Sequence, residues 1–126
     1  MEQKFYRCSV CGNIITFVKN SGVPVICCGK KMEEIIPGTV DASLEKHIPV
    51  IAVENNKVTV TVGAVEHPMI DAHYIEWIFL QTKEGNQRKQ LKPNQAPKAV
   101  FYLSDTDEVV AAYEYCNLHG LWKKSL

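Results

Sequence analysis

Apolar residues gather into short strand-like runs after the stretch 37–41, and are few and scattered before it. Val58-Thr59-Val60-Thr61-Val62 places three valines on one face and two threonines on the other, the period of a half-buried strand. An apolar run at 49–53 precedes it, and Asn55-Asn56 between the two predicts a tight turn. Residues 73–82 are rich in aromatic and β-branched side chains and are closed by Glu84-Gly85-Asn86. Residues 99–103 and 109–115 are two further strand candidates. Helical periodicity is weak throughout. About seven short strands at this spacing predict an antiparallel sandwich.

The first 36 residues differ. They hold four of the five cysteines, and their apolar residues are few and scattered. A module this short cannot bury enough surface to fold without a staple. Pro37-Gly38-Thr39-Val40-Asp41 follows, and its Pro-Gly step reads as a boundary. The expectation is therefore an all-β chain with a small metal-stapled module over 1–36 and a β domain over 37–126.

Composition narrows the partners. The chain is 46% hydrophobic and 22% charged, which is globular. Its 14 basic and 14 acidic side chains cancel, and no basic run appears, so neither nucleic acid nor an acidic membrane is indicated. No apolar stretch approaches the roughly 20 residues that span a bilayer. The start, Met-Glu-Gln-Lys-Phe-Tyr-Arg-Cys, lacks a signal-type apolar core, so the expected compartment is the cytoplasm. Thiols stay reduced there, and clustered cysteines are read as metal ligands before disulfides.

Cys8-Ser9-Val10-Cys11-Gly12 is a Cys-x-x-Cys knuckle, and Cys27-Cys28-Gly29 supplies a second pair. Four thiolates can close a tetrahedral site around one ion, either an electron-carrying iron or a structural zinc. The adjacent Cys27-Cys28 pair departs from common zinc ribbons, which separate both pairs by two residues. A second constellation comprises His47, His67, His73 and His119, with Cys116 three residues before the last. Each setting is a predicted strand end, where loops can converge on one ion. Five candidate ligands are too many for a closed tetrahedral zinc site. Four imidazoles, one thiolate and an empty position would suit a redox metal that accepts a small ligand.

These segments resemble the two-iron superoxide reductases, or desulfoferrodoxins, over essentially the whole chain. The carriers are Cys-x2-Cys-x15-Cys-Cys, Glu45-Lys46-His47-Ile48-Pro49, His67-Pro68-Met69 with His73-Tyr74-Ile75-Glu76-Trp77, and Tyr115-Cys116-Asn117-Leu118-His119-Gly120. The resemblance implies a desulforedoxin-like first module and an immunoglobulin-like second domain. It implies one iron on Cys8, Cys11, Cys27 and Cys28. A catalytic iron would bind His47, His67, His73 and His119 in its plane, with Cys116 on the axis. It further implies superoxide as substrate, a rubredoxin-like electron donor and a homodimer.

Lys46 is then the steering charge for a small anion. The resemblance makes Glu45 the carboxylate that takes the open position of the oxidised iron. A pure electron carrier, a zinc-stabilised binding module and a dismutase are the competing readings. Trp77, Phe79 and Tyr113 are expected to fill the core, Glu114 to sit on a solvated face, and Lys83, Arg88, Lys89 and Lys92 to form a wet surface.

Overall fold

The computed structural model describes residues 2–39 and 44–126, without the side chain of Glu45. Val40 and Asp41 of the expected boundary segment thus lie outside the described residues. The chain divides into two compact units, Met1–Ile36 and Pro37–Leu126.

In the first unit no strand exceeds three residues: β1 (Phe5–Arg7), β2 (Ile14–Ile15), β3 (Ile26–Cys27), β4 (Lys30–Lys31) and β5 (Glu33–Ile35). They form an antiparallel sheet in the order β2-β1-β5 and a separate β3-β4 hairpin. Phe5, Cys8 and Met32 are the buried apolar side chains described there, while Val10, Val18, Val23 and Ile26 are exposed. Burying one such side chain contributes about 1.5–3 kcal/mol. Ordering a residue's backbone costs about 1–2 kcal/mol. So thin a core needs the staple that the cysteines offer.

The second unit opens with one helical turn, α1 (Leu44–His47), closed by the Ile48 N–H on Leu44 O at 3.1 Å. Seven strands follow: β6 (Pro49–Glu54), β7 (Lys57–Val62), β8 (Ile75–Thr82), β9 (Asn86–Gln90), β10 (Lys98–Tyr102), β11 (Val109–Cys116) and β12 (Gly120–Ser125). Two antiparallel sheets result, ordered β10-β7-β6 and β12-β11-β8-β9. The unit's first, second and fifth strands share one sheet and the others share the second, the interleaving of an immunoglobulin-like sandwich. Glu54 pairs with Lys57, so Asn55-Asn56 is the predicted two-residue turn, with Asn55 in the left-handed region at φ 53°. Asn tolerates that region better than a branched residue would.

The core lies between the sheets. Val58, Val60 and Val62 of β7 and Phe101 of β10 pack with Ile75, Ile78 and Leu80 of β8 and Ala112 and Cys116 of β11. The valine face of the alternating run is the buried face, and Thr59 and Thr61 are partly exposed. Phe79 and Tyr113 are buried as expected, meeting edge to face at 6.2 Å, while Trp77 is half-buried and stacks on Tyr115 at 5.8 Å.

Glu114 departs from expectation. It is 0% exposed, and neither carboxylate oxygen has a protein hydrogen-bond partner. Its cross-strand neighbours are Ile78 and Trp122, because β11 is an inner strand and this position faces the core. Burial alone pushes its carboxyl well above the usual range, which favours the neutral form. Among the described residues no helix is long and apolar enough to cross a membrane.

Candidate metal centres

Backbone turns build the first cluster. The Gly12 N–H reaches back to Cys8 O at 3.0 Å, and the Cys8 N–H is tied to Asn13 O at 2.9 Å. The Cys11 N–H points at Cys8 Sγ at 3.5 Å. Gly12 adopts φ 81°, a conformation open to glycine at no steric cost. On the other arm Cys28 itself takes φ 52°, followed by Gly29 at 73°. A non-glycine residue there stores strain. It is what consecutive ligands require, since ordinary extended backbone would turn their sulfurs to opposite sides.

The four sulfurs lie within 4.8 Å of one another. Cys11 Sγ and Cys27 Sγ are 3.6 Å apart, against about 3.8 Å for the edge of a tetrahedron with 2.3 Å metal–sulfur bonds. Their protonation pulls in opposite directions. The backbone N–H of Cys11, then that of Val10, holds the Cys8 thiol down to about 6. Hydrogen bonding to Cys11, then to Cys8, pushes Cys28 up to about 12. A cation at the centre resolves this conflict, because it stabilises every thiolate at once. The residues fit a four-sulfur metal.

The second cluster gathers three segments. His47 closes α1, His67 and His73 lie in the loop between β7 and β8, and Cys116 ends β11. One ligand atom from each lies within 4.8 Å of the others. His119 sits in the turn between β11 and β12, and its Nδ1 is 2.8 Å from His47 Nε2. Two nitrogens bound at right angles to one ion at about 2.1 Å would be about 3.0 Å apart, so this spacing too fits shared ligation. His47 is 2% exposed, His67 1% and Cys116 0%.

The orientation of these rings indicates a missing partner. His67 Nδ1 donates to Pro68 O at 2.7 Å, which leaves Nε2 with the lone pair. That Nε2 is buried with no hydrogen-bond partner, as is His73 Nε2, whereas His47 turns its Nε2 to the cluster and its unpartnered Nδ1 lies on the other side of the ring. Orphaned buried nitrogens are costly unless a metal or proton donor satisfies them. Burial, reinforced by the neighbouring imidazoles, holds His47 down at about 4. Burial likewise lowers His67 and His73. All three are therefore neutral near pH 7, the form that ligates. Desolvation raises the Cys116 thiol, while the Leu118 and His119 backbone N–H groups hydrogen-bond the sulfur and favour the thiolate.

Surrounding groups hold the cluster. Trp122 Nε1 donates to His119 O at 3.0 Å, and its ring meets the His47 ring edge to face at 5.0 Å. Met69 accepts the Asn94 N–H on its carbonyl at 2.7 Å and the Ile75 N–H on its sulfur at 3.3 Å. Lys46 is exposed, and its charge reaches His47, His67 and His73, depressing each. Met69 and Asn117 fall within the motifs quoted above but carry no supporting role there, and Trp122 lies outside those motifs. Only the position of Asn117 between Cys116 and His119 was a usable signal.

Residues 39–125 match the family model described as desulfoferrodoxin, and residues 1–35 match its N-terminal domain. The chain belongs to the desulfoferrodoxin family. A desulfoferrodoxin homolog of Archaeoglobus fulgidus is 49% identical over 119 residues, covering 94% of this chain and 93% of the relative. The desulfoferrodoxin of Nitratidesulfovibrio vulgaris is 46% identical over 97% of this chain and 95% of its own length. The crystal structure of the superoxide reductase from Treponema pallidum superposes with a TM-score of 0.84 at 40% identity, covering 99% of this chain and 100% of that one. The superoxide reductase (1Fe-SOR) of Giardia intestinalis covers 65% of this chain and 97% of its own, with a TM-score of 0.56 and 35% identity. The family and the two ligand clusters make this a two-iron chain.

Proposed function

We propose that the chain is a superoxide reductase, adding one electron and two protons to superoxide to give hydrogen peroxide without releasing dioxygen. The observation that carries the reading is the buried cluster of His47, His67, His73 and Cys116, with His119 beside it and the exposed Lys46 at its side. The names of the relatives support the same activity. Cys8, Cys11, Cys27 and Cys28 would hold one iron, in the module over 1–36. The four histidines and Cys116 would hold the other, in the domain over 37–126. When bound, ferrous iron at the second site supplies the electron.

The protein's own groups do the rest. Lys46 attracts the anion, because an exposed cation beside a small-anion site raises the encounter rate. The neutral imidazoles of His47, His67 and His73 would offer their lone pairs to the ion without first giving up a proton. The Leu118 and His119 N–H groups draw charge off the Cys116 sulfur and so temper its electron donation. Glu45, next to Lys46 in sequence, would offer a carboxylate to the iron, a hard oxygen ligand suited to the more highly charged ion. Glu45→Ala should therefore leave the initial rate of superoxide loss within about twofold of wild type. A collapse in stopped-flow traces would remove Glu45 from this role.

A rubredoxin-like protein is the proposed donor and a homodimer the proposed assembly. The cytoplasm is the proposed compartment, in keeping with five cysteines that form no disulfide. Protection from superoxide by electron transfer from a donor is the proposed role.

The deciding experiment mixes fully reduced protein with superoxide and counts products. Stoichiometric iron oxidation, one peroxide per superoxide and no dioxygen supports the reductase. Catalytic loss of superoxide with dioxygen release identifies a dismutase. No reaction of the iron-loaded protein leaves an electron carrier.

A further inference from the structure

One side chain grips the backbone on both sides of His73. Asn117 Nδ2 donates to Ala72 O at 3.1 Å, and the Tyr74 N–H donates to Asn117 Oδ1 at 3.0 Å. The backbone N–H of Asn117 adds a third bond, to Tyr74 O at 3.2 Å. Ala72 and Tyr74 are the immediate chain neighbours of His73, and Asn117 is the immediate neighbour of Cys116. We propose that Asn117 is a positioning residue that sets His73 against Cys116, and through that pair tunes the second iron. The inference rests on the ligand assignment proposed above and adds a residue to it.

The chemistry selects an amide. Asparagine carries a donor and an acceptor at its tip, so it can pair with a C=O and an N–H together. Ala72 O and the Tyr74 N–H present that combination across one residue. Aspartate would set an oxygen against Ala72 O, and glutamine would overreach by a methylene. The two bonds cross 45 and 43 residues of sequence, so they are made between segments and not within one turn.

The ligands also differ in how they are held. His67 orients its ring through its own Nδ1–H on Pro68 O. His73 is held through its backbone, which exchanges both N–H···O bonds with Ile70 at 3.0 Å. That small turn around Asp71-Ala72 would swing as a unit without an anchor. Asn117 is the anchor described on its far side, and it belongs to the segment that delivers the thiolate. A shift of one ligand loop against the other alters the site even when both ligands stay bound.

The test uses the two-iron protein carrying Asn117→Leu, which keeps the heavy-atom branching and removes both side-chain bonds, with the smaller Asn117→Ala as the second variant. The iron in the four-cysteine site is the internal reference. The expected result is loss of the second iron to a chelator about tenfold faster than in wild type. A displaced visible absorption band and an altered electron paramagnetic resonance spectrum of the oxidised second site should accompany it. The first iron's spectrum and the far-ultraviolet circular dichroism should stay unchanged. A residue that only stabilised the turn would lower the melting temperature and leave the second site's spectra untouched, and that result overturns the proposal. If Asn117→Leu does not fold, the spectra of Asn117→Ala decide in the same way. A wild-type protein that holds no second iron would overturn the ligand assignment and this inference with it. Unchanged spectra in both variants would overturn the inference alone.

Discussion

The two metal centres are built on opposite plans. Cys8, Cys11, Cys27 and Cys28 come from two short turns in a unit with almost no core, and Cys11 and Cys28 are exposed. His47, His67, His73, Cys116 and the adjoining His119 come from a helical turn, a loop, a strand end and a turn, gathered at one end of a packed sandwich. In the first, the metal holds the fold together. In the second, the fold holds the metal. Ligand loss should therefore spread differently. Unit one should lose structure with its ion, whereas unit two should keep its sheets when its ion is gone.

Ligand replacement should have the largest effect. Cys116→Ala should abolish superoxide reduction by about a hundredfold or more, with the second iron's spectrum lost and the first intact. Cys28→Ser should remove the first iron, measured by metal content, and leave the rate of superoxide capture nearly unchanged. Equal activity losses from the two variants would show that the two sites work as one unit, against the division drawn here.

Lys46→Ala comes next. Removing a steering charge should slow superoxide capture about tenfold and flatten its dependence on ionic strength. A rate and salt slope equal to wild type would leave Lys46 an ordinary surface lysine.

Acid should act on the second centre through its histidines. His47 is depressed from 6.5 to about 4, chiefly by burial, and His67 and His73 shift the same way. Between those values the unfolded chain binds protons that the folded site refuses, so stability falls as pH drops from 6.5 towards 4. Protons and metal also compete for the same nitrogens. Iron retained at the second site after desalting should decline across that window. Full retention at pH 4 would contradict the assignment of these rings as ligands.

The smallest effect concerns Glu114. Its carboxyl is buried without a protein partner, which costs about 1–3 kcal/mol. Glu114→Met should raise the stability of metal-free protein by about 1 kcal/mol in urea unfolding. A destabilised variant would mean that the carboxyl is satisfied in solution.

By itself the sequence determined whatever is written in neighbouring residues. The alternation at 58–62 located β7 and its buried face, and Asn55-Asn56 located the turn before it. The two cysteine pairs, each followed by a glycine, announced the first centre because knuckle geometry is local. The ligand types of the second centre were legible too, since so few histidines could serve. Other features were decided only by pairing between distant segments. β9, Asn-Gln-Arg-Lys-Gln, carries no apolar pattern because it is an edge strand with most of its residues exposed. β12 was hidden by its short apolar pair, Leu121-Trp122, before two lysines. Glu114 alternates like a surface residue, yet β11 lies inside its sheet and turns that position to the core. The bonds from Asn117 to Ala72 and Tyr74 exist because β11 and β8 pair and bring their ends together. Periodicity and spacing act over a few residues. Convergence of ligands and their supports is set by strand pairing, and only the folded chain carries it.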